Sequence, residues 1–189
     1  MLIIRRLIDI FLSLLLIIIF SPIFLLIGSL IKINSPGPIF FKQKRIGCHG
    51  KIFIIWKFRT MLDNSHQSIT VSRSDERITL TGKILRPTHL DELPQLWNVL
   101  KGEMSFVGPR PKTQNILEIL KKFNSDYEEI LKVKPGITGI NQIKSRGWIF
   151  SNLEKSLELE LQYVQNKNFW QDLKIVILTL PVILKRRGI

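Results

Sequence analysis

Asp91 and Glu92 are adjacent carboxylates in the stretch 83–112, which also carries Arg86 and Arg110. The plain role for such an Asp is to cap a helix, and Thr88-x-x-Asp91 matches a capping box. A helix that starts at Asp91 is preferred, because Pro94 then falls in the first turn, where its missing N–H does no harm. Leu93, Leu96, Trp97 and Leu100 would share one apolar face of that helix. At a positive helix end both carboxylates stay ionised and a nearby phosphate is favoured. Two loops add to the pattern. Residues 104–111 (MSFVGPRP) contain Arg110, and residues 132–148 (KVKPGITGINQIKSRGW) hold four basic residues, Arg146 among them, with three glycines and no acid. Glycine turns lend N–H groups to phosphates, and arginines add bidentate contacts. A carboxylate pair between two basic loops points to an anionic, phosphate-bearing substrate. Glu154, Glu158 and Glu160 recur at helical spacing, as residues on a solvated face do.

The chain that must position these groups has 189 residues, enough for one domain with a core. Its net charge is +13, yet 45% of it is hydrophobic. The two properties are segregated. Residues 7–31 hold 19 apolar residues out of 25 and one charge, Asp9, whereas residues 36–189 hold 25 basic and 14 acidic side chains. The lone Cys48 excludes an internal disulfide and a Cys-cluster zinc site, and His49, His66 and His89 are scattered. No zinc finger, RNP motif or basic zipper is present, so the charge does not read as nucleic-acid binding.

Residues 39–45 and 51–61 flank IGCHG as the arms of a hairpin. Residues 33–62 carry Lys42, Lys44, Arg45, Lys51, Lys57 and Arg59 and no acid. Such a surface suits anionic headgroups, at about 1 kcal/mol per cation. Residues 63–80 read as a loop, and 113–131 and 152–165 as helices. The C-terminal DLKIVILTLPVILKRRGI is either an interfacial helix with a basic rim of Lys185, Arg186 and Arg187 or a buried core helix.

The apolar run of residues 7–31 is too long for the core of a signal peptide, and no cleavage site precedes Ser35. As a helix it reaches roughly 38 Å, enough to cross a hydrocarbon core of about 30 Å. Ser21-Pro22 interrupts it, however, and basic residues lie on both sides, Arg5 and Arg6 before it and Lys32 after. A single crossing would put one basic flank on the wrong side. A helix that enters, breaks at Ser21-Pro22 and returns keeps both flanks together. A crossing and a re-entrant helix both stand as readings of the residues.

The chain resembles the monotopic phosphoglycosyl transferases, small bacterial sugar transferases. The motifs that carry the resemblance are Ser21-Pro22, FFKQKRIGCHGKIFIIWKFRTM, DERIT (75–79), GKILR (82–86), LDELPQLWNVLKGEMSFVGPRP (90–111), KPGITG (134–139), QYV (162–164) and DLKI. The resemblance implies an α+β, mostly helical fold. It places a re-entrant membrane helix over residues 1–34 and one cytoplasmic catalytic domain with a small β-hairpin over residues 35–189, at the bacterial inner membrane. It implies transfer of a sugar 1-phosphate from a UDP-sugar to undecaprenyl phosphate, with release of UMP and a Mg²⁺ cofactor. Asp91 matches the nucleophile that forms a phosphoaspartyl intermediate, and Glu92 its partner. Arg86, Arg110 and Arg146 match basic positions near the phosphates. Asp91, Glu92 and Glu160 are the implied metal set, although the family usually has Asp where Glu160 stands. Ile140-Asn141 replaces the commoner Trp-Ala after KPGITG. The alternative from another class is a non-catalytic, membrane-anchored adaptor that grips anionic lipid and uses Asp91 only as a cap. The sugar and the oligomeric state are left open.

Overall fold

The computed structural model describes residues 2–62, 75–144 and 152–184. A 33-residue helix, α1 (Leu2–Asn34), leads into an antiparallel hairpin of β1 (Phe40–Ile46) and β2 (Ile52–Phe58). Next come α2 (Leu80–Thr88), a 3-10 turn (Leu90–Glu92), α3 (Gln95–Lys101) and the short strand β3 (Ser105–Val107). The chain continues through α4 (Gln114–Phe123), a 3-10 segment (Ser125–Lys132), β4 (Gly136–Thr138) and α5 (Ile140–Lys144). It closes with α6 (Leu153–Gln165) and α7 (Phe169–Leu184). The expected hairpin and the mostly helical α+β class are both present. The expected helix over 113–131 is two pieces, because Asn124 leaves helical geometry and its side chain accepts from the Asp126 N–H.

The expected break at Ser21-Pro22 does not divide α1. Pro22 has no N–H to offer the Ile18 carbonyl, and the Ser21 hydroxyl donates to that oxygen at 2.8 Å. The ends of α1 pack while its middle stands out. Asp9 and Ser13 are buried near one end and Ile27 and Ile31 near the other, but Leu14, Leu15, Ile18 and Ile19 are exposed. Ile27 and Ile31 join Phe58 and Leu85 in one core cluster, and the Phe24 ring lies 5.3 Å from that of Phe58. At the other end the contacts are polar. Arg6 donates to the Val99 and Leu100 carbonyls at the end of α3, the former shared with the Gly102 N–H. Asp9 accepts from Ser105 Oγ at 3.2 Å and from the Phe106 N–H at 3.3 Å, and Arg5 pairs with Asp172 of α7 at 3.3 Å.

Helix α7 is not a buried core helix. Trp170, Ile177 and Leu180 are exposed while Ile175 faces inward, so most of its apolar surface is unpacked. Its expected basic rim, Lys185 to Arg187, lies outside the described residues, as does most of the loop expected over 63–80.

Strands β3 and β4 pair in parallel, Ser105 with Gly136 and Val107 with Thr138. The two glycine-containing loops noted in the sequence are thereby brought together as backbone. A methyl group on Gly136 would lie 2.1 Å from the Gly108 nitrogen, and one on Gly108 would lie 2.3 Å from the Lys134 carbonyl oxygen. Glycine is needed at both because the two backbones touch.

Candidate active site

The carboxylate pair does not begin a helix. His89 ends α2 with φ 57°, and its N–H reaches the Leu85 and Arg86 carbonyls. The chain then closes a tight turn, with Glu92 N–H on the His89 carbonyl and Leu93 N–H on that of Leu90. Pro94 has no N–H with which to reach back to Leu90, so α3 starts only at Gln95. This shift rotates the buried face of α3 to Gln95, Leu96, Asn98 and Val99, and it leaves Trp97, expected in the core, 48% exposed. Thr88 caps nothing downstream. Its hydroxyl donates back to the Ile84 and Leu85 carbonyls.

Asp91 is buried, with 9% of its surface exposed. Burial raises its carboxyl pKa to about 6; Glu92 pushes the same way, while Lys57, Arg86 and Arg110 oppose. Glu92 is shifted in the opposite direction. Burial alone would raise it, but the Lys57 ammonium and the Arg110 guanidinium outweigh that and hold it well below the usual carboxylate range. Glu92 Oε1 accepts from Lys57 Nζ and from Arg110 Nη2, the latter at 3.1 Å. Asp91 has no hydrogen bond or ion pair among the described residues. The two neighbours therefore differ in kind, one tied down by cations and one held ready in their field.

Arg86, in the last turn of α2, donates Nε to Thr60 Oγ1 at 2.9 Å, and its charge acts on Asp91. Arg45, Lys57, Glu92, Gln95, Arg110 and Gly136 line one recess. Burial and the nearby Arg110 cation lower the Arg45 pKa to about 10. Arg146 lies outside the described residues. Among the described residues no group of three His, Cys, Asp or Glu side chains could hold a metal, so Asp91, Glu92 and Glu160 do not form one cluster. Nor is Glu160 on a solvated face. Glu154 and Glu158 are exposed, but Glu160 is buried against Lys112.

The hairpin cations divide where the sequence reading had grouped them. Lys42, Lys44 and Lys51 are exposed, whereas Arg59 is buried on the Ser35 carbonyl and hydroxyl, both at 2.8 Å. Lys57 and Arg45 turn toward the site. Strand alternation could have found them, because Lys57 shares a face with the buried Phe53 and Ile55, and Arg45 pairs with Phe53 across the hairpin. A charge in line with core residues is a charge with a partner. Asn98 was also missed. It is fully buried, accepts from the Trp56 N–H at 3.2 Å and donates to the Ile54 carbonyl at 2.6 Å, which ties α3 to β2.

Comparison with known proteins bears on what this arrangement does. The family model described as bacterial sugar transferase matches residues 1–186. A UDP-glucose:undecaprenyl-phosphate glucose-1-phosphate transferase from Klebsiella pneumoniae is 44% identical over 182 residues, covering 93% of this chain and 39% of the relative. The protein of the same name from Escherichia coli K12 is 41% identical over 182 residues, with the same coverage. The uncharacterized sugar transferase EpsL of Bacillus subtilis is 41% identical over 187 residues, covering 99% of this chain and 90% of the relative. The chain thus spans well under half the length of the first two relatives and nearly all of the third.

Proposed function

Because the chain belongs to the bacterial sugar transferase family, we propose that it moves a sugar 1-phosphate from a UDP-sugar to undecaprenyl phosphate through a phosphoaspartyl intermediate on Asp91. The observation that carries this reading is the asymmetry of the pair. Glu92 absorbs Lys57 and Arg110, while the buried Asp91 carboxylate makes no ion pair among the described residues and lies in the field of three cations. A pKa of about 6 leaves Asp91 ionised at neutral pH and poorly solvated, which suits a nucleophile. A mere cap or lipid-gripping adaptor has no use for that arrangement.

In the first step an Asp91 oxygen attacks the sugar-bearing phosphorus, and the bond to the bridging diphosphate oxygen breaks. UMP leaves with that electron pair. In the second step a phosphate oxygen of undecaprenyl phosphate attacks the same phosphorus and breaks its bond to Asp91, which returns as carboxylate. Arg86 and Arg110 would offset charge on the phosphoryl oxygens. Glu92 holds Lys57 and Arg110 in register. Mg²⁺ needs one or two carboxylates when substrate phosphates complete its shell, and Asp91 with Glu92 fits that requirement without a third carboxylate. Such an ion would lend further charge neutralisation on the phosphates.

The packed ends and exposed middle of α1 support a re-entrant segment, since both ends return to one body while the centre is free for lipid. The apolar outer face of α7 supports a second contact with the bilayer surface. This arrangement would put the dyad on the cytoplasmic side of the inner membrane, at headgroup depth, where the lipid phosphate lies. The decisive experiment is incubation of the protein with UDP-glucose and Mg²⁺ alone. A sugar-phosphate adduct should form on the wild type and be absent from Asp91→Asn, and near-normal turnover by Asp91→Asn would defeat the reading.

A further inference from the structure

One buried charge pair takes no part in that scheme. Glu160, on α6, is 1% exposed, and its Oε1 receives both Lys112 Nζ at 2.8 Å and the Arg110 backbone N–H at 3.1 Å. Glu160 Oε2 has no hydrogen-bond partner among the described residues, so both donors converge on one atom. Removing two charges from water carries a large desolvation cost, so a buried pair is weak evidence of stabilisation in itself. The second donor is what sets this pair apart. Arg110 is the residue whose guanidinium reaches Glu92. Its neighbours are held from elsewhere: Gly136 N–H binds the Pro109 carbonyl at 2.9 Å, Arg45 the Pro111 carbonyl at 3.1 Å, and Ile46 N–H the Lys112 carbonyl at 2.9 Å. At Arg110 itself the backbone donor ends on Glu160.

We propose that Glu160 is a positioning residue, a carboxylate fixed by Lys112 that anchors the Arg110 backbone and so keeps its guanidinium on Glu92 beside Asp91. The inference rests on the transfer reading above and gives α6 a part in turnover without contact to substrate. Two variants test it. Lys112→Met/Glu160→Leu replaces the pair by apolar side chains of similar volume, a change that buried pairs often tolerate. Lys112→Leu/Glu160→Met, which likewise removes both the acceptor and the buried cation, is the companion should the first fail to fold, and both are read in the same two ways. On the protein without substrate, the Arg110 amide should exchange its hydrogen about tenfold faster while the melting temperature stays close to that of the wild type. With UDP-glucose and undecaprenyl phosphate, kcat should fall about 30-fold with little change in KM, and the same change should cost nothing further in an Arg110→Met background. Unchanged protection of the Arg110 amide in a folded variant overturns the proposal, and so does an equal loss of kcat in both backgrounds. A wild-type chain without turnover would count against the transfer reading, while the exchange result would still decide the role of Glu160.

Discussion

Asp91 and Glu92 are neighbours in sequence and opposites in charge behaviour, and that difference has consequences for pH. Asp91 titrates near pH 6, above the usual range for Asp, because burial favours its neutral form. On the proposed mechanism, activity should therefore fall on the acid side of about pH 6 as the Asp91 carboxylate becomes protonated, and kcat/KM measured from pH 5 to 8 would show the limb. Lys57 lowers the Asp91 pKa, so Lys57→Gln should move that limb to higher pH. A limb that stays in place would separate Lys57 from the site. The stability of the fold runs the other way. A raised pKa means that holding Asp91 ionised costs the fold up to about 3 kcal/mol above pH 6, a cost that fades as pH falls toward 4. Asp91→Asn should thus melt higher than the wild type at pH 7.5 and lose its advantage by pH 4, which thermal melts across pH would check. Glu92 has the opposite sign: Lys57 and Arg110 hold it below its usual range, so its contribution is lost on acidification.

At the scale of elements, the contact of β3 with β4 leaves no room for a side chain. Gly136→Ala should be destabilising beyond the roughly 3 kcal/mol at the upper end of ordinary substitutions, because backbone rather than a flexible side chain must yield. A large drop in melting temperature, together with lost turnover, is the expected result. The pairing itself was not legible in the sequence. MSFVGPRP and KPGITG read as turns, since strands of three residues carry no periodicity and parallel partners lie far apart in the chain. The hairpin, by contrast, was legible from its apolar arms and the glycines between them. The carboxylate pair was legible as a pair but misplaced as structure: the start at Asp91 gave way to a 3-10 turn because Pro94 delays the helix. Lys57 and Arg45 were counted as lipid-facing charge because the count ignored the alternation of the strand. Spacing set Glu160 with Glu154 and Glu158 and the resemblance set it with the metal ligands, whereas its partner in the fold is a buried lysine.

For the whole molecule, the proposed membrane arrangement of α1 can be tested directly. Cysteines introduced at Ile3 and at Asn34 in a Cys48→Ser background should both react with a reagent confined to the cytoplasmic side, and labelling from opposite sides would refute the re-entrant arrangement. Pro22→Leu restores the missing N–H and should shift part of the population toward a crossing helix. Arg5 and Arg6, counted from sequence as a basic flank, are engaged with Asp172 and the end of α3, so the N-terminal end of α1 is fastened to the body by side chains as well as by charge. Asp9 extends this fastening and sets an order of events in biosynthesis. A carboxylate in a nascent apolar helix opposes its transfer into lipid, by about 3 kcal/mol at the centre and by less toward the end where Asp9 lies. The donors that satisfy Asp9 are Ser105 and the Phe106 N–H, and they leave the ribosome long after α1 has been made. In the membrane arrangement proposed above, the newborn segment would therefore carry a charge that waits for the folded body, and its final seating in the bilayer would be the last act of folding rather than the first.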